Sequence, residues 1–407
     1  MSNPKKKPSG CGCGNIPISF ILIILGGGYW WFSQHGIPNF SQLFSQLQQI
    51  SLPTSTPTPI ASENPNFNPP STPTPVASTN PNSNPTPSPP TTDLEKLEPT
   101  TPSASPLPTK AKTPWEQKAI RGIYLSRYQI TNNASEQTIR ERVRYYRSQG
   151  INTIIHGVWG NACTMYKSQV MQQTLSYQSC PNKFQDQWLD WLIDEAHKQG
   201  MEVHAYFEKG IKIDENSPVF DLAVSRKWIV PGVDKTHPGV DHYVLDVEIP
   251  EVANFFKNIL VEFVTKYPDI DAVQWDDYLG YHAELPGKID RTANLTKFVQ
   301  LLITEMKKAN PAVSFDLCHH NPYWAKRYFA ADWQKWNVDR VFIQVYDENN
   351  FQQELNYVQQ TDGIAITERQ FSHLEKLVKN PGVKSILIFP LNGQPESTAS
   401  QLNKLIQ

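Results

Sequence analysis

The sequence predicts an α/β protein built as one (β/α)8 TIM barrel, preceded by an N-terminal transmembrane helix and a disordered proline-rich linker. Three observations predict it. Of 34 prolines, 18 fall between Pro53 and Pro114. Proline removes backbone donors, and its Ser, Thr and Asn neighbours bury little apolar area, so that stretch builds no core. Residues 115–407 hold nine of the eleven tryptophans, in a length that suits a single α/β barrel of about 250 residues better than several average domains. Within that segment short β-branched runs alternate eight times with helical patterns, which argues a closed barrel over an open doubly wound sheet.

Residues 1–15 carry the chain's one basic cluster, Lys5 to Lys7. Residues 16–33 read as an anchor. The run from Ile16 to Phe32 has no charged residue, and its length sits at the short edge of what spans a bilayer, about 17–25 residues. Tyr29, Trp30 and Trp31 at its far end suit the aromatic belt of a membrane interface. A cleavable signal peptide is the competing reading, since it shares the basic start and short apolar core. No small-x-small cleavage site follows Phe32, and Cys11 and Cys13 precede the run, whereas a lipid-modified cysteine follows it. The expectation is an uncleaved single-pass anchor in a bacterial cell membrane, with the lysines inside and the barrel extracytoplasmic. Residues 34–114 form the linker, in which Ser55–Pro70 is echoed by Ser71–Thr86. A duplication this polar is a low-complexity spacer that extends about 3 Å per residue where it is polyproline-like.

The barrel is read strand by strand. Strand one is Ile120–Ser126, followed by a helix capped by Ser135 with Ile139, Val143 and Tyr146 on one face and a stop at Gly150. Strand two is Ile151–Trp159. Helix two places Phe184, Trp188, Trp191 and Leu192 on one face and ends at Gly200, so the same Gln-Gly junction leads into strand three, Met201–Glu208. Pro250 opens helix three, and Pro268 closes it. Strand four is Ile270–Asp276, helix four lies near Leu295–Lys308, and strand five is Ala312–Leu317. Strands six to eight are Val338–Tyr346, Gly363–Thr367 and Val383–Phe389, before a last helix near Ser397–Ile406.

Several function classes drop out. The chain carries 37 Lys+Arg against 39 Asp+Glu, for a net −2, with no basic stripe, so nucleic acid has no electrostatic footprint. No Gly-x-Gly-x-x-Gly or Gly-Lys-Ser/Thr follows a strand, which leaves nucleotide binding without support. Strand one lacks His-x-His, no Gly-x-Ser-x-Gly is present, and adjacent His319 and His320 diverge as a loop pair, so metal and acyl-transfer chemistry fall behind. Cys-Gly-Cys at 11–13 has no second pair and is not a zinc site. Cys163 and Cys180 are either a disulfide in an oxidising compartment or two free thiols.

Active sites of such barrels gather at the C-terminal strand ends. Alternation sends His204, Tyr206 and Glu208 of strand three, Ala272, Gln274 and Asp276 of strand four, and Phe342, Gln344 and Tyr346 of strand six toward the lumen. Polar groups there are costly in a plain core. Glu208, Asp276, Asp277, Asp316, Asp347 and Glu368 all fall at or beyond strand ends, with Trp159, Tyr166, Tyr206, Trp275 and Tyr346 near them. Carboxylates among aromatic rings suit a sugar, and glycosidic hydrolysis needs two carboxyl groups and no cofactor. Asp276 is the first candidate, with Asp277 or Glu208 as its partner. His156, Trp159, Tyr166, His204, Tyr206, Gln274, Asp316, Gln344 and Tyr346 are the candidate sugar contacts.

From about Ile120 to Pro390 the chain resembles the bacterial glycosyl-hydrolase-like family 10 barrels. Arg121-Gly-Ile-Tyr-Leu looks like the family's opening strand, and Gly150-Ile-Asn152 continuing to Tyr166-Lys-Ser168 is similar to its second. Ala196-His197-Lys-Gln-Gly200-Met-Glu-Val-His204-Ala-Tyr resembles its Ala-His-x-x-Gly run. Leu245-Asp246 with Pro250, and Asp276-Asp277-Tyr278, are similar to its Leu-Asp-Pro segment and strand-four Asp-Asp-Tyr. Asp332-Trp333, Trp336 and Val338-Asp339 resemble its approach to strand six. The chain departs from the pattern at His156-Gly-Val, where the family usually has Gln-x-Arg, at Glu208, where it has Asn, and in the Leu-Asp-Pro segment, which is interrupted because Val247 follows Leu245-Asp246. The resemblance implies a glycoside hydrolase whose relatives act on peptidoglycan glycan strands. The competing reading is a non-catalytic glycan-binding barrel that tethers the envelope to the wall.

Overall fold

Eight parallel strands close on themselves in a computed structural model that describes residues 111–407, apart from 236–240, 283–284 and 286–289. They are β1 (Arg121–Leu125), β2 (Thr153–Gly160), β3 (Glu202–Phe207), β4 (Ala272–Trp275), β5 (Ser314–His319), β6 (Arg340–Val345), β7 (Gly363–Thr367) and β8 (Ile386–Phe389). Each pairs with the next and β1 pairs with β8. The predicted barrel is therefore observed. The basic N-terminus, the apolar run and the linker before Ala111 lie outside the described residues. Among the described residues no helix is long and apolar enough to cross a membrane.

The helices are α1 (Glu136–Ser148), α2 (Gln169–Leu175), α3 (Trp188–Lys198), α4 (Phe220–Ser225), α5 (Pro250–Lys266), α6 (Arg291–Ala309), α7 (Pro322–Phe329), α8 (Phe351–Val358), α9 (Leu374–Lys379) and α10 (Pro395–Ile406). Local chemistry explains the long ones. Ser135 accepts from the Thr138 N–H to start α1, and Pro250 stands in the first turn of α5, where its missing N–H costs nothing. Gly150 (φ +84°) and Gly200 (φ +63°) end α1 and α3 in the left-handed region, so Ile151 N–H reaches back to Tyr146 O and Met201 N–H to Ala196 O.

Predicted and observed strands differ at their ends, and one difference matters. β5 runs two residues further than expected, to His319, which moves Asp316 from a strand end to mid-strand. The short helices α2, α4 and α7–α9 were not readable, because six to eight residues hold about two turns at most and show no countable period. Two of them sit in long connections after β2 and β3. The first connection folds Cys163–Thr164 back against the end of β2 and is cross-linked by a Cys163–Cys180 disulfide. The second pairs Lys212–Ile213 with Tyr243–Val244.

Alternation divides the core in two. Val203, Phe207, Val273, Trp275 and Leu317 face the helices within the large apolar cluster. The lumen holds a smaller set, Ile120, Tyr124, Ile155, Tyr206, Cys318, Phe342, Ala365 and Leu387, with Tyr346 and Phe389 at its edge.

Candidate active site

β4 ends in two acids that part company. Asp276 continues the lumen-facing row of Ala272 and Gln274, and it is 7% exposed. The Tyr206 hydroxyl donates to its Oδ2, and the Tyr278 N–H donates to Oδ1 at 3.0 Å. Burial, and then the neighbouring charge of Asp277, push its carboxyl well above the usual carboxylate range, against the two donors and the more distant Lys212. Asp277 opens the 3₁₀ turn Asp277–Leu279 and is also buried. Its charge is felt by Asp276, His319 and His320.

Aromatic rings wall the lumen beside Asp276. Tyr206 meets Tyr124 edge-on at 5.2 Å, Tyr124 lies 5.5 Å from Phe389, and Phe389 lies 5.5 Å from Tyr346. Cys318 sits beneath, its Sγ 4.0 Å from the Tyr346 hydroxyl. Burial is the main cause that keeps Tyr124, Tyr206 and Tyr346 protonated, and nearby Asp276 adds to it. Gln274 is fully buried, and neither atom of its amide has a partner among the described residues. Gln344 is buried on the same lumen-facing row as Phe342.

Glu208, just past the end of β3, is held by a residue that sequence reasoning did not single out. The Arg127 N–H donates to Oε1 at 2.8 Å and Arg127 Nη1 to Oε2 at 2.6 Å. Two glycines of β2 make room for the pair: a Cβ on Gly157 would collide with Glu208 Oε1, and one on Gly160 with the Arg127 guanidinium. The Tyr206 hydroxyl that binds Asp276 also feels the charge of Glu208.

Five candidate contacts stand elsewhere than expected. His156 falls on the outward row of β2, its ring 4.7 Å from Trp188 of α3, where burial drives its pKa down to about 4. Trp159 shares parity with lumen-facing Gly157, yet a register irregularity between them sets it opposite outward-facing Phe207, against Phe255 and Phe256 of α5. Tyr166 packs on Phe263 and Tyr267 of the same helix. His204 and Asp316 do face the lumen, but they belong to an ion network. Arg340 Nε spans both oxygens of Asp316 at 2.9 and 3.0 Å, and His204 Nε2 lies 2.9 Å from Glu202 Oε2. Glu202 and Arg340 are the first residues of their strands, so this network plugs the N-terminal mouth. Glu368 binds Thr398 and the Leu391 N–H of the C-terminal segment, and Asp347 caps a 3₁₀ turn.

The lumen-facing aromatics Tyr124 and Phe389 could have been found by counting alternation on β1 and β8. Arg127 carries no such signal, because it lies beyond its strand and is defined only by what it touches.

Comparison with known proteins bears out the family resemblance over part of the chain. Residues 119–292 match the family model described as Glycosyl hydrolase-like 10, a span that contains β1 to β4 and hence Glu208, Asp276 and Asp277. Glycosyl hydrolase DigH of Escherichia coli (strain K12) is 29% identical over 219 residues, which is 46% of this chain and 47% of the relative. The chain thus spans about half the length of the curated relatives it matches. Among solved structures, the GH36 α-galactosidase AgaA from Geobacillus stearothermophilus aligns at 12% identity and TM-score 0.43, covering 72% of this chain and 41% of that one. An α-amylase from Lactobacillus plantarum aligns at 9% identity and TM-score 0.46, covering 72% and 80%.

Proposed function

We propose that this chain, similar over residues 119–292 to the Glycosyl hydrolase-like 10 model, is a glycoside hydrolase of the bacterial cell surface that cleaves a polysaccharide, the glycan strands of peptidoglycan. The observation that carries the reading is Asp276. A carboxyl buried at the C-terminal end of a barrel strand, with its pKa raised by burial and by Asp277, keeps a proton near neutrality. That is what a leaving glycosidic oxygen needs from a general acid. Tyr206 orients the carboxyl, and the arc of Tyr124, Phe389 and Tyr346 offers apolar faces to a sugar ring. Glu208, fixed by Arg127, supplies the second carboxylate; Asp277 modulates Asp276 through its charge.

The N-terminal apolar run would hold the barrel at the membrane, with the linker giving it reach into the wall. The Cys163–Cys180 disulfide supports an oxidising, extracytoplasmic compartment. One observation favours a glycan-binding barrel without catalysis: both oxygens of Glu208 are already engaged by Arg127. Reducing ends released from purified peptidoglycan separate the two readings. Wild type is expected to release them and Asp276→Asn to lose at least about 100-fold, the scale of general acid catalysis. Binding without release by both proteins overturns the hydrolase. Cell fractionation tests the anchor: deletion of residues 1–33 is expected to move the protein out of the membrane fraction, and persistence there sinks that part of the proposal.

A further inference from the structure

The histidines at the C-terminal end of β5, which the sequence reads as one loop pair, play two different roles. His319 ends the outward row of β5. The His320 N–H donates to its Nδ1 at 2.8 Å, and burial pushes its pKa down to about 3, so it stays neutral in the core. His320 follows Cys318 on the lumen-facing row, beyond the end of the strand. Its ring stacks on Phe329 of α7 at 5.4 Å, and its Nδ1 lies 2.9 Å from Glu354 Oε1.

Glu354 makes this a built arrangement. It is 1% exposed on α8, and its Oε2 accepts from both the Asn321 N–H at 2.9 Å and Asn321 Nδ2 at 3.0 Å. A carboxylate held by three donors cannot turn elsewhere, and as an acceptor it makes Nδ1 the protonated nitrogen of His320. Nε2 has no hydrogen bond among the described residues, and the side chain keeps 24% exposure. A ring clamped on one nitrogen and open on the other, at the catalytic end of a barrel, is fixed to meet something from solvent.

We propose that His320 is a substrate-contacting residue of this same site, its Nε2 hydrogen-bonding a sugar hydroxyl on the β5 side of Asp276. The proposal rests on the carbohydrate reading and extends it to a named contact. The charged groups facing His320 are Glu354 from α8 and Asp277 from the turn after β4, with His319 beside it on its own strand. α7 presents only the uncharged rings of Trp324 and Phe329. Both acids raise the His320 pKa against the opposing effect of burial, so the ring is charged at mildly acidic pH and becomes neutral as pH rises.

The test measures kcat, KM and binding of soluble N-acetylglucosamine oligomers by the full chain across pH, for wild type, His320→Ala, His320→Gln and Glu354→Gln. His320→Ala is expected to raise KM and weaken binding about tenfold, as for one hydrogen bond to a charged group, with kcat nearly unchanged. His320→Gln, which keeps a donor near Nε2, should recover part of the loss. Glu354→Gln should move the pH transition in binding to lower pH, because the charge that raises the His320 pKa is gone. A structural role alone would lower the unfolding temperature and leave KM and the pH transition in place. Working wild type with unaltered His320→Ala overturns the proposal by itself. Wild type that neither binds nor cleaves removes the carbohydrate reading, and the proposal with it.

Discussion

Asp276 and Asp277 are adjacent in sequence, yet only Asp276 lies on the lumen-facing row, where Tyr206 donates to it. The Tyr206 hydroxyl stabilises the ionised form of Asp276, so Tyr206→Phe is expected to raise the Asp276 pKa further. The alkaline limb of the pH–rate profile then moves to higher pH, while the rate falls from loss of orientation; a limb that stays put would place the proton elsewhere. Stability follows the same group with a definite sign. Asp276 keeps its proton above the pH at which the unfolded chain loses it, so between the ordinary carboxylate value and the raised folded one the native state binds more protons. Stability therefore falls as pH rises through that window. Asp276→Asn should flatten this slope in urea-unfolding midpoints taken from mildly acidic to mildly alkaline pH.

At the scale of elements, β2 does more than complete the sheet. Gly157 and Gly160 lie under the Arg127–Glu208 pair, and neither position has room for a Cβ. Gly157→Ala should cost about 1–3 kcal/mol by overpacking, read from denaturant unfolding, and should reduce activity by displacing Glu208. The irregularity between Gly157 and Trp159 also turns the tryptophan outward, which defeats a strict count of alternate residues. In the connection that follows, the Cys163–Cys180 disulfide closes a sequence separation of 17. Removing it with a double Cys→Ser variant should lower unfolding free energy by about 3 kcal/mol, a loss that reduction of the wild type reproduces.

At the scale of the whole barrel, the candidate site and a supporting ion network lie at opposite ends. The C-terminal end holds Asp276, Glu208 and the aromatic arc, while the N-terminal mouth is closed by Glu202, His204, Asp316 and Arg340. Asp316 is fully buried and depends on Arg340 for its countercharge. Arg340→Met should therefore destabilise the fold by about 3 kcal/mol or more, because it strands a buried carboxylate. The specific activity of the protein that remains folded should be little changed; loss of kcat at full foldedness would show that the lower network reaches the site.

The order of the strands, the five long helices between them, the two Gln-Gly turns and the lumen-facing row through Asp276 were legible in the sequence, because each depends on neighbours within a few positions, where the periods of helix and strand operate. Closure, and the partners inside it, were decided only by tertiary structure. Arg127 meets Glu208 across a separation of 81 residues, and Asp316 meets its guanidinium 24 residues away on the next strand. His320 and Glu354 come from different βα units. Local periodicity sets which face a side chain occupies; the group it meets there is set by packing between strands distant in sequence, and in this barrel that packing separates Asp276, whose pKa is raised by burial, from acids such as Asp316 that are engaged in ion pairs.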